Sequence, residues 1–311
     1  MPYAFLSPFF IIFGTFGLFP LIFSLYLAFQ SWDPATGISG MKFIGFDNFV
    51  FLLGTPKEWM AHQYGDKLFW QSLYNTFWVG LGSGLPQHFV AIPLAYFFHV
   101  AYKKWRNTIT GAYFIPFITS SVAISLIFSS LFSKDFGVVN AVLDSWKHVP
   151  LLSYLSPEHH IDWLGKSPTT KPAVSFVVFW RYVGWNTVLY LSALQAISQD
   201  LFEAAEMDGA TRWQTFSHVV VPLLRPMMLY AVTLTIIGNL QLFEEPFIIL
   251  GPSGGVEQSG MTTAMYLYRT GFQDGDFGTA SAISWILFVI IAVLTWLNNK
   301  AFAPKHEESA A

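Results

Sequence analysis

The chain has 311 residues, of which 53% are hydrophobic, 18% aromatic and only 11% charged, where a soluble domain carries about 25% charged residues. That shortage of groups able to keep a surface wet excludes an ordinary soluble domain, and a net charge of −3 without any basic run argues against a nucleic-acid partner. With no Cys, disulfides, thiolate catalysis and Cys-based metal sites are excluded as well.

A helix needs about 20 consecutive apolar residues to cross the hydrocarbon, and six stretches qualify, at roughly 4–30, 72–100, 108–133, 173–196, 223–250 and 277–298. The expected architecture is all-α: a polytopic membrane protein with about six transmembrane helices in a single transmembrane domain over 1–311. The first stretch lacks the basic lead-in and small-residue cleavage site of a signal peptide, and its apolar core is too long for one, so it is expected to span. The second is interrupted by Gln87 and His88. After it comes "KKWR" at 103–106, the clearest orientation signal. With Arg212, Arg225, Lys300 and Lys305 it places the connections near 101–107, 197–222 and 299–311, and both termini, in the cytoplasm.

The opposite loops, about 31–71, 134–172 and 251–276, are rich in Trp, Pro, Gly and Asp and too short to fold alone as soluble domains. His159 and His160 in "SPEHHIDWLGKSP" invite a zinc reading, but no third ligand stands at a familiar spacing, so an exposed loop is expected and no metal site. "GKS" at 165–167 resembles the end of a phosphate loop, yet His160 occupies the position of the required Gly and no strand precedes it.

The fourth and fifth stretches carry Arg181, and Glu244 with Glu245 towards the outer end. An ionisable group at mid-membrane costs at least ~2.5–3.5 kcal/mol, so it faces a cavity or a partner. Tyr182, Trp185, Asn186, Asn239 and Gln241 accompany them. Aromatic faces stack on sugar C–H surfaces while amides and carboxylates take hydroxyls, so this mixture suits a neutral polyhydroxylated ligand. Helix-to-helix hydrogen bonding is the alternative use of the same residues. No nucleophile–base or acid pair is set out for catalysis, and no enzyme is expected.

Between those stretches lies "LFEAAEMDGATRWQTFSHVVVPLLRP", the most polar helical segment of the chain. Asp200 and Glu203 fit a capping box that starts a helix at Leu201. Gly209 can end it in a left-handed conformation. Thr211 and Gln214 fit a second capping box, and a second helix should run to Pro222. The first piece, about eight residues and ~12 Å long, is marginal in water on its own. Its acids oppose a seat on anionic lipid, so it reads as a helix that docks on another protein.

Here a resemblance becomes specific. "EAAEMDGA…VVVP" resembles the cytoplasmic loop signature of binding-protein-dependent permeases, with Glu203, Ala204, Ala205, Gly209 and Pro222 on its fixed positions and Asp208 beside the Gly. Val219 and Val221 stand where Ile and Leu are usual. "GFDNFVFLL", "IPFITSSVAISLIFSSLFSKDFGVVNAVL", "LQAISQDLFEAAEMDGA" and "FGTASAISWILFVIIAVL" extend the similarity to the maltose/lactose-type sugar permeases over most of the chain. The resemblance implies the fold of a type I ABC importer permease. It implies that the chain pairs with a second permease, with two copies of a cytoplasmic ATPase subunit seating the helix at Glu203–Gly209, and with an extracytoplasmic sugar-binding protein. ATP and magnesium would bind the ATPase subunits, and no cofactor is implied for this chain. The sugar-site positions of the maltose-type permeases fall here on Phe117, Ser121, Arg181, Tyr182, Trp185, Thr235 and Asn239, with Glu244 nearby. Phe117 replaces a tyrosine of some relatives, and Arg181 replaces an apolar residue. Both departures point away from maltose, to another sugar or to a ligand with an acidic or phosphate group. Two competing readings remain at this level: an ion-coupled secondary transporter using Glu244, Glu245 and Arg181, and a membrane enzyme acting on a lipid-linked sugar.

Overall fold

The computed structural model describes residues 2–55, 57–58, 65–101, 106–148 and 157–302. Lys103, Lys104 and Lys305, which carried part of the orientation argument, lie outside them. In chain order the helices are α1 (Pro2–Phe13) and α2 (Phe19–Leu27), α3 (Asp47–Leu53), α4 (Lys67–Ala101), α5 (Arg106–Ile118) and α6 (Ser121–Leu131). There follow α7 (Val138–Ser145), α8 (Ser167–Gln195), α9 (Gln199–Met207), α10 (Arg212–Gln214) and α11 (Val221–Leu223). The last are α12 (Arg225–Leu240), α13 (Glu244–Leu250), α14 (Thr263–Tyr268) and α15 (Phe277–Phe302). The only strands among the described residues are β1 (Gln30–Ser31) and β2 (Lys42–Phe43), paired antiparallel. The fold is all-α, as expected.

Among the described residues, three helical runs are long and apolar enough to cross a membrane: Phe5–Leu27, Arg225–Leu250 and Phe277–Phe302. The stretch expected as one span at 108–133 is instead two helices, Thr108–Ile118 and Ser121–Leu131, bent by 89°. The hydroxyl-rich "TSS" at 119–121 explains the break. Thr119 Oγ1 donates to the Ile115 carbonyl at 2.8 Å, and Ser120, at the N-cap position of α6, leaves the helical region at ψ 127° without a side-chain capping bond. Ser and Thr compete with the helix for their own backbone in this way. Helices α4 and α8, 35 and 29 residues long, have the length to span but not the uniform apolar character. They bury a polar face instead: Asn75, Thr76, Ser83 and Gln87 on α4, and Thr170, Ser175, Asn186 and Thr187 on α8.

Two π turns stand directly ahead of prolines. Gly14–Leu18 precedes Pro20, and Thr215–Val220 precedes Pro222. A proline ring clashes with the carbonyl four residues back, and widening the turn relieves that clash. The second helix of the polar loop, expected to stop at Pro222, therefore continues through it to Leu223, bends at Leu224 and resumes as α12.

The chain forms two compact units, Met1–Tyr74 with Thr262–Ile290, and Asn75–Met261 with Ile291–Ala311. In the first, buried Asn48 ties the extended segment to the start of α15: its amide donates to the carbonyls of Ala28 (3.0 Å) and Gln30 (2.9 Å), and its oxygen accepts from Thr279 (3.2 Å). Tyr266 donates to the Asp66 carboxylate, and burial together with that carboxylate pushes the phenol above its usual range. The N-terminal helices leave Phe5, Phe9, Ile12, Phe16 and Phe19 exposed, a surface suited to lipid.

The second unit is built around α4 and α8. Ala91, Ile92 and Ala95 of α4 pack with Val183, Tyr190, Leu191 and Leu194 of α8, and with Phe216, Val220, Leu224 and Ala231 beyond the polar loop. A second cluster joins Ile124 and Phe128 of α6 to Ala173, Val177 and Ile249. In the outer loop, Asn140 holds Ile161 and Trp163 through their N–H groups at 3.2 and 3.1 Å. His160 meets the Asp144 carboxylate at 2.7 Å and the Lys134 carbonyl at 3.0 Å. Hydrogen bonds from Lys147 and His160 hold the Asp144 carboxyl below the ordinary carboxylate range.

The α5–α8 contact depends on Gly184, because a Cβ there would collide with the Tyr113 carbonyl. The neighbour is backbone and cannot rotate away. Gly184→Ala should therefore cost about 1–3 kcal/mol, read as a lowered thermal unfolding midpoint of the detergent-solubilised chain. An unchanged midpoint would show that α5 moves freely on α8.

Candidate functional site

Two places in the second unit carry functional geometry. The first is a polar cavity of about 80 Å³ between α4, α8 and α12, lined by Gln87, Tyr182, Trp185, Asn186, Leu234, Thr235, Gly238, Asn239 and Leu242. Its walls are set by helix phase: Tyr182, Trp185 and Asn186 share one face of α8, and Thr235 and Asn239 are one turn apart on α12. Asn186 Nδ2 donates to Gln87 Oε1 at 2.9 Å, while Gln87 Nε2 has no partner although the residue is only 1% exposed. His88 is held between Tyr190 (2.8 Å) and Thr235 (3.1 Å), and Asn239 donates to the Gly80 carbonyl at 3.0 Å. Trp185 stacks on Phe117 with centroids 4.5 Å apart, and Tyr182 meets the same ring edge-on at 5.7 Å.

Of the residues singled out from the sequence, Tyr182, Trp185, Thr235 and Asn239 line this cavity and Phe117 packs behind it. Ser121 opens α6 beyond the bend and is not among the lining residues. Arg181 forms an ion pair with Glu245, both largely buried, with its guanidinium 5.3 Å from the Tyr182 ring centre. Glu244 is exposed in the first turn of α13. Sequence reasoning passed over Gln87, His88 and Tyr190. The adjacent polar pair at 87–88 inside an apolar run was the available signal, because such groups are retained in spans when they face a cavity or a partner.

Beside this cavity, and sharing Thr235 and Asn239 with it, lies an apolar groove of about 390 Å³. Phe77, Gly80, Leu81, Gly84 and Leu85 of α4 face Val232 and Ile236 of α12 across it, with Leu294 of α15. Gly80 and Gly84 stand one turn apart, and a Cβ on either would meet Asn239, so this small-residue spacing lets α12 approach α4 closely.

The second place is the polar loop. Ser198 caps α9 by accepting from the Asp200 N–H at 3.3 Å, so the helix begins at Gln199. Asp200 lies inside the first turn and is not the capping residue expected from the sequence. The other end behaves as expected. Gly209 takes φ +77°, its N–H donates to the Glu206 carbonyl (3.0 Å), and that of Ala210 reaches the Ala205 carbonyl (2.9 Å). Those two bonds satisfy the last carbonyls of α9. Thr211 and Gln214 close the second capping box. Glu203, Ala204, Asp208 and Gly209 are exposed, as is Pro222, and Ala205 is half-buried. Phe202 turns inward against the His99 ring at 5.4 Å. Tyr96 donates to the Arg212 carbonyl at 3.2 Å and packs on Phe216. Both links tie the loop to the C-terminal end of α4.

A family model described as "Binding-protein-dependent transport system inner membrane component" matches residues 2–305. The arabinooligosaccharides transport system permease protein of Bacillus subtilis is 30% identical over 96% of this chain and 87% of its own length. The lactose transport system permease protein of Rhizobium radiobacter is also 30% identical, over 95% of this chain and 92% of its own. Among solved structures, a chain of a bacterial ABC transporter that imports the acidic polysaccharide alginate superposes with a TM-score of 0.77, at 24% identity over 98% of this chain and 96% of that one. A second alginate transporter structure, in complex with an alginate pentasaccharide-bound periplasmic protein, gives 0.75 at 25% identity over 96% and 92%.

The Gln87–Asn186 pair is buried on both sides, so truncating one member strands the other. Asn186→Leu should cost about 1–3 kcal/mol of stability, while Gln87→Leu with Asn186→Leu should cost less than the two single changes added together. A thermal or denaturant double-mutant cycle on the solubilised chain reads the coupling, expected at about 0.5–3 kcal/mol. Strict additivity would dissolve the pair.

Proposed function

The chain belongs to the family of binding-protein-dependent transport system inner membrane components, and we propose that it is one of two permease subunits of an ATP-driven sugar importer. The observation that carries this reading is the preformed helix–elbow–helix of the polar loop. A short helix that is marginal alone is fixed by a cap at each end, yet it presents Glu203, Ala204, Met207 and Asp208 outward. Such a helix suits a groove on a cytoplasmic ATPase subunit, two copies of which would serve the permease pair. The chain's own energy source is then nucleotide hydrolysis in those subunits.

A sugar as cargo is supported by the two relatives whose names specify arabinooligosaccharides and lactose, and by the aromatic and amide lining of the cavity. At about 80 Å³ that cavity holds a few waters at ~30 Å³ each, not an oligosaccharide. We read it as one wall of a path that the second permease completes. An extracytoplasmic sugar-binding protein would deliver the ligand on the opposite face, and both termini would lie in the cytoplasm. An ion-coupled carrier needs a lone buried acid to load, whereas Glu245 is already paired with Arg181 and Glu244 is exposed.

The elbow supplies the test. Gly209 has open space around its absent Cβ, so a substitution there changes backbone preference and little else. A β-branched residue in the left-handed region costs about 1–2 kcal/mol, close to a tenfold change in a binding equilibrium. From cells co-expressing the neighbouring genes, Gly209→Val should recover about tenfold less ATPase subunit with the chain. Gly209→Asn, which tolerates that conformation, should recover it nearly fully. Equal recovery with both variants would refute docking through this loop.

A further inference from the structure

The charge of Arg181, next along α8 to the cavity-lining Tyr182, is answered from within the protein. Arg181 on α8 reaches Glu245, which stands in the first turn of α13 after the helix breaks at Gln241–Phe243. The acid is 2% exposed and the guanidinium side chain 12%. Tyr182, the residue beside Arg181, and Leu242, three residues before Glu245, both line the cavity. Glu244 adds a second, unneutralised carboxylate next to the pair. The local balance is thus one positive against two negative charges.

We propose, on the reading that this cavity is part of a saccharide path, that Glu245 is a specificity-determining residue: it cancels the Arg181 charge, so that the site takes uncharged saccharides and rejects uronates. A ligand carboxylate could claim Arg181 only by displacing Glu245, which would leave a buried anion without a partner, the costly way to break such a pair. It would also approach Glu244. A hydroxyl faces neither cost. Gln87 Nε2, in the cavity lining, is a buried donor without a partner, and it can donate to an uncharged hydroxyl oxygen without breaking the ion pair. Of the two alternatives that Phe117 and Arg181 left open, this favours another sugar over a ligand with an acidic or phosphate group.

The test uses the purified complex of the full chain with its co-purifying subunits, without any sugar-binding protein. The probes are disaccharides of glucose and galactose, each as the neutral sugar and as the uronate. The readout is the fluorescence change that is lost in Trp185→Phe, so that only ligand at this cavity is counted. In the wild type, neutral disaccharides should bind and their uronates should bind at least about tenfold more weakly. Glu245→Gln exposes the Arg181 charge and should shift that ratio towards the uronates by about tenfold or more, through the attraction of opposite charges. Arg181→Met combined with Glu245→Met removes both charges, a swap that buried pairs commonly tolerate, and should keep the preference for neutral sugars. Uronate binding by the wild type as tight as that of the neutral sugars, or an unchanged ratio in Glu245→Gln, would overturn the assignment while leaving the saccharide path intact. If no disaccharide gives a Trp185-dependent change in any of these proteins, the saccharide reading of the cavity falls, and this assignment with it.

Discussion

In hydrocarbon there is no water to satisfy a free backbone N–H or C=O, so every spanning segment must pair its own. That constraint makes the fold helical, and it also decides where the helices can afford to break. The α5–α6 bend has Thr119 and Ser120 to hydrogen-bond and redirect the chain. The gap between α12 and α13 keeps Leu242 buried, with its N–H directed at the Asn239 carbonyl at 3.4 Å. The prolines at 20 and 222 are absorbed by wider turns without a break. Irregularity is therefore confined to points where side chains or neighbouring helices cover the freed groups. One of those points sets the site: by ending α12 and restarting three residues later, the chain turns Glu245 inward and Glu244 outward.

The same solvent inverts the usual distribution of polarity. Helices α1, α2 and α15 expose large apolar side chains, while α4 and α8 put their amides and hydroxyls inside. Lipid supplies no hydrophobic drive between helices, so close approach and internal hydrogen bonds have to hold them together. Gly184 against Tyr113, Gly84 against Asn239, and Asn186 with Gln87 supply both. Glue and ligand site are consequently drawn from one set of residues, which is why sequence alone left both uses open for Asn186 and Asn239. In the structure both spend a donor inside the protein, Asn186 on Gln87 and Asn239 on the Gly80 carbonyl, whereas Gln87 keeps one unspent.

What was legible in the sequence was local. The Gly209 elbow and the Thr211–Gln214 box depend on residues at most five apart, and their chemistry admits few conformations. Ser198 was missed because the same segment offers Asp200 as a second plausible cap, and only the geometry chooses between them. The 89° bend was missed because hydroxyls in an apolar run read as neutral to a hydropathy count. Least legible was the partner of Arg181. Two acids stand side by side 63 and 64 residues away, and which of them faces inward depends on how many non-helical residues precede α13. Family resemblance located Tyr182, Trp185, Thr235 and Asn239 but was silent on Glu245.

One element touches both functional places. Helix α4 carries Tyr96 and His99 against the polar loop, and Gln87 and His88 against the cavity. Eight residues separate Tyr96 from His88, about 12 Å of helix. Pro93 lies between them and Pro86 just beyond, and each removes a rung from the helical ladder. A straight helix would carry a push at Tyr96 rigidly to both polar residues. One with a rung missing at 93 has a point at which it can bend between the loop contacts and the segment that bears Gln87. Beside α8, which carries Asn186 and runs directly into the loop, this is in the importer reading a second route between the ATPase-facing loop and the sugar-facing amides. It runs through a helix whose prolines the packing tolerates because its other residues, Ala91, Ile92 and Ala95, are clamped against α8.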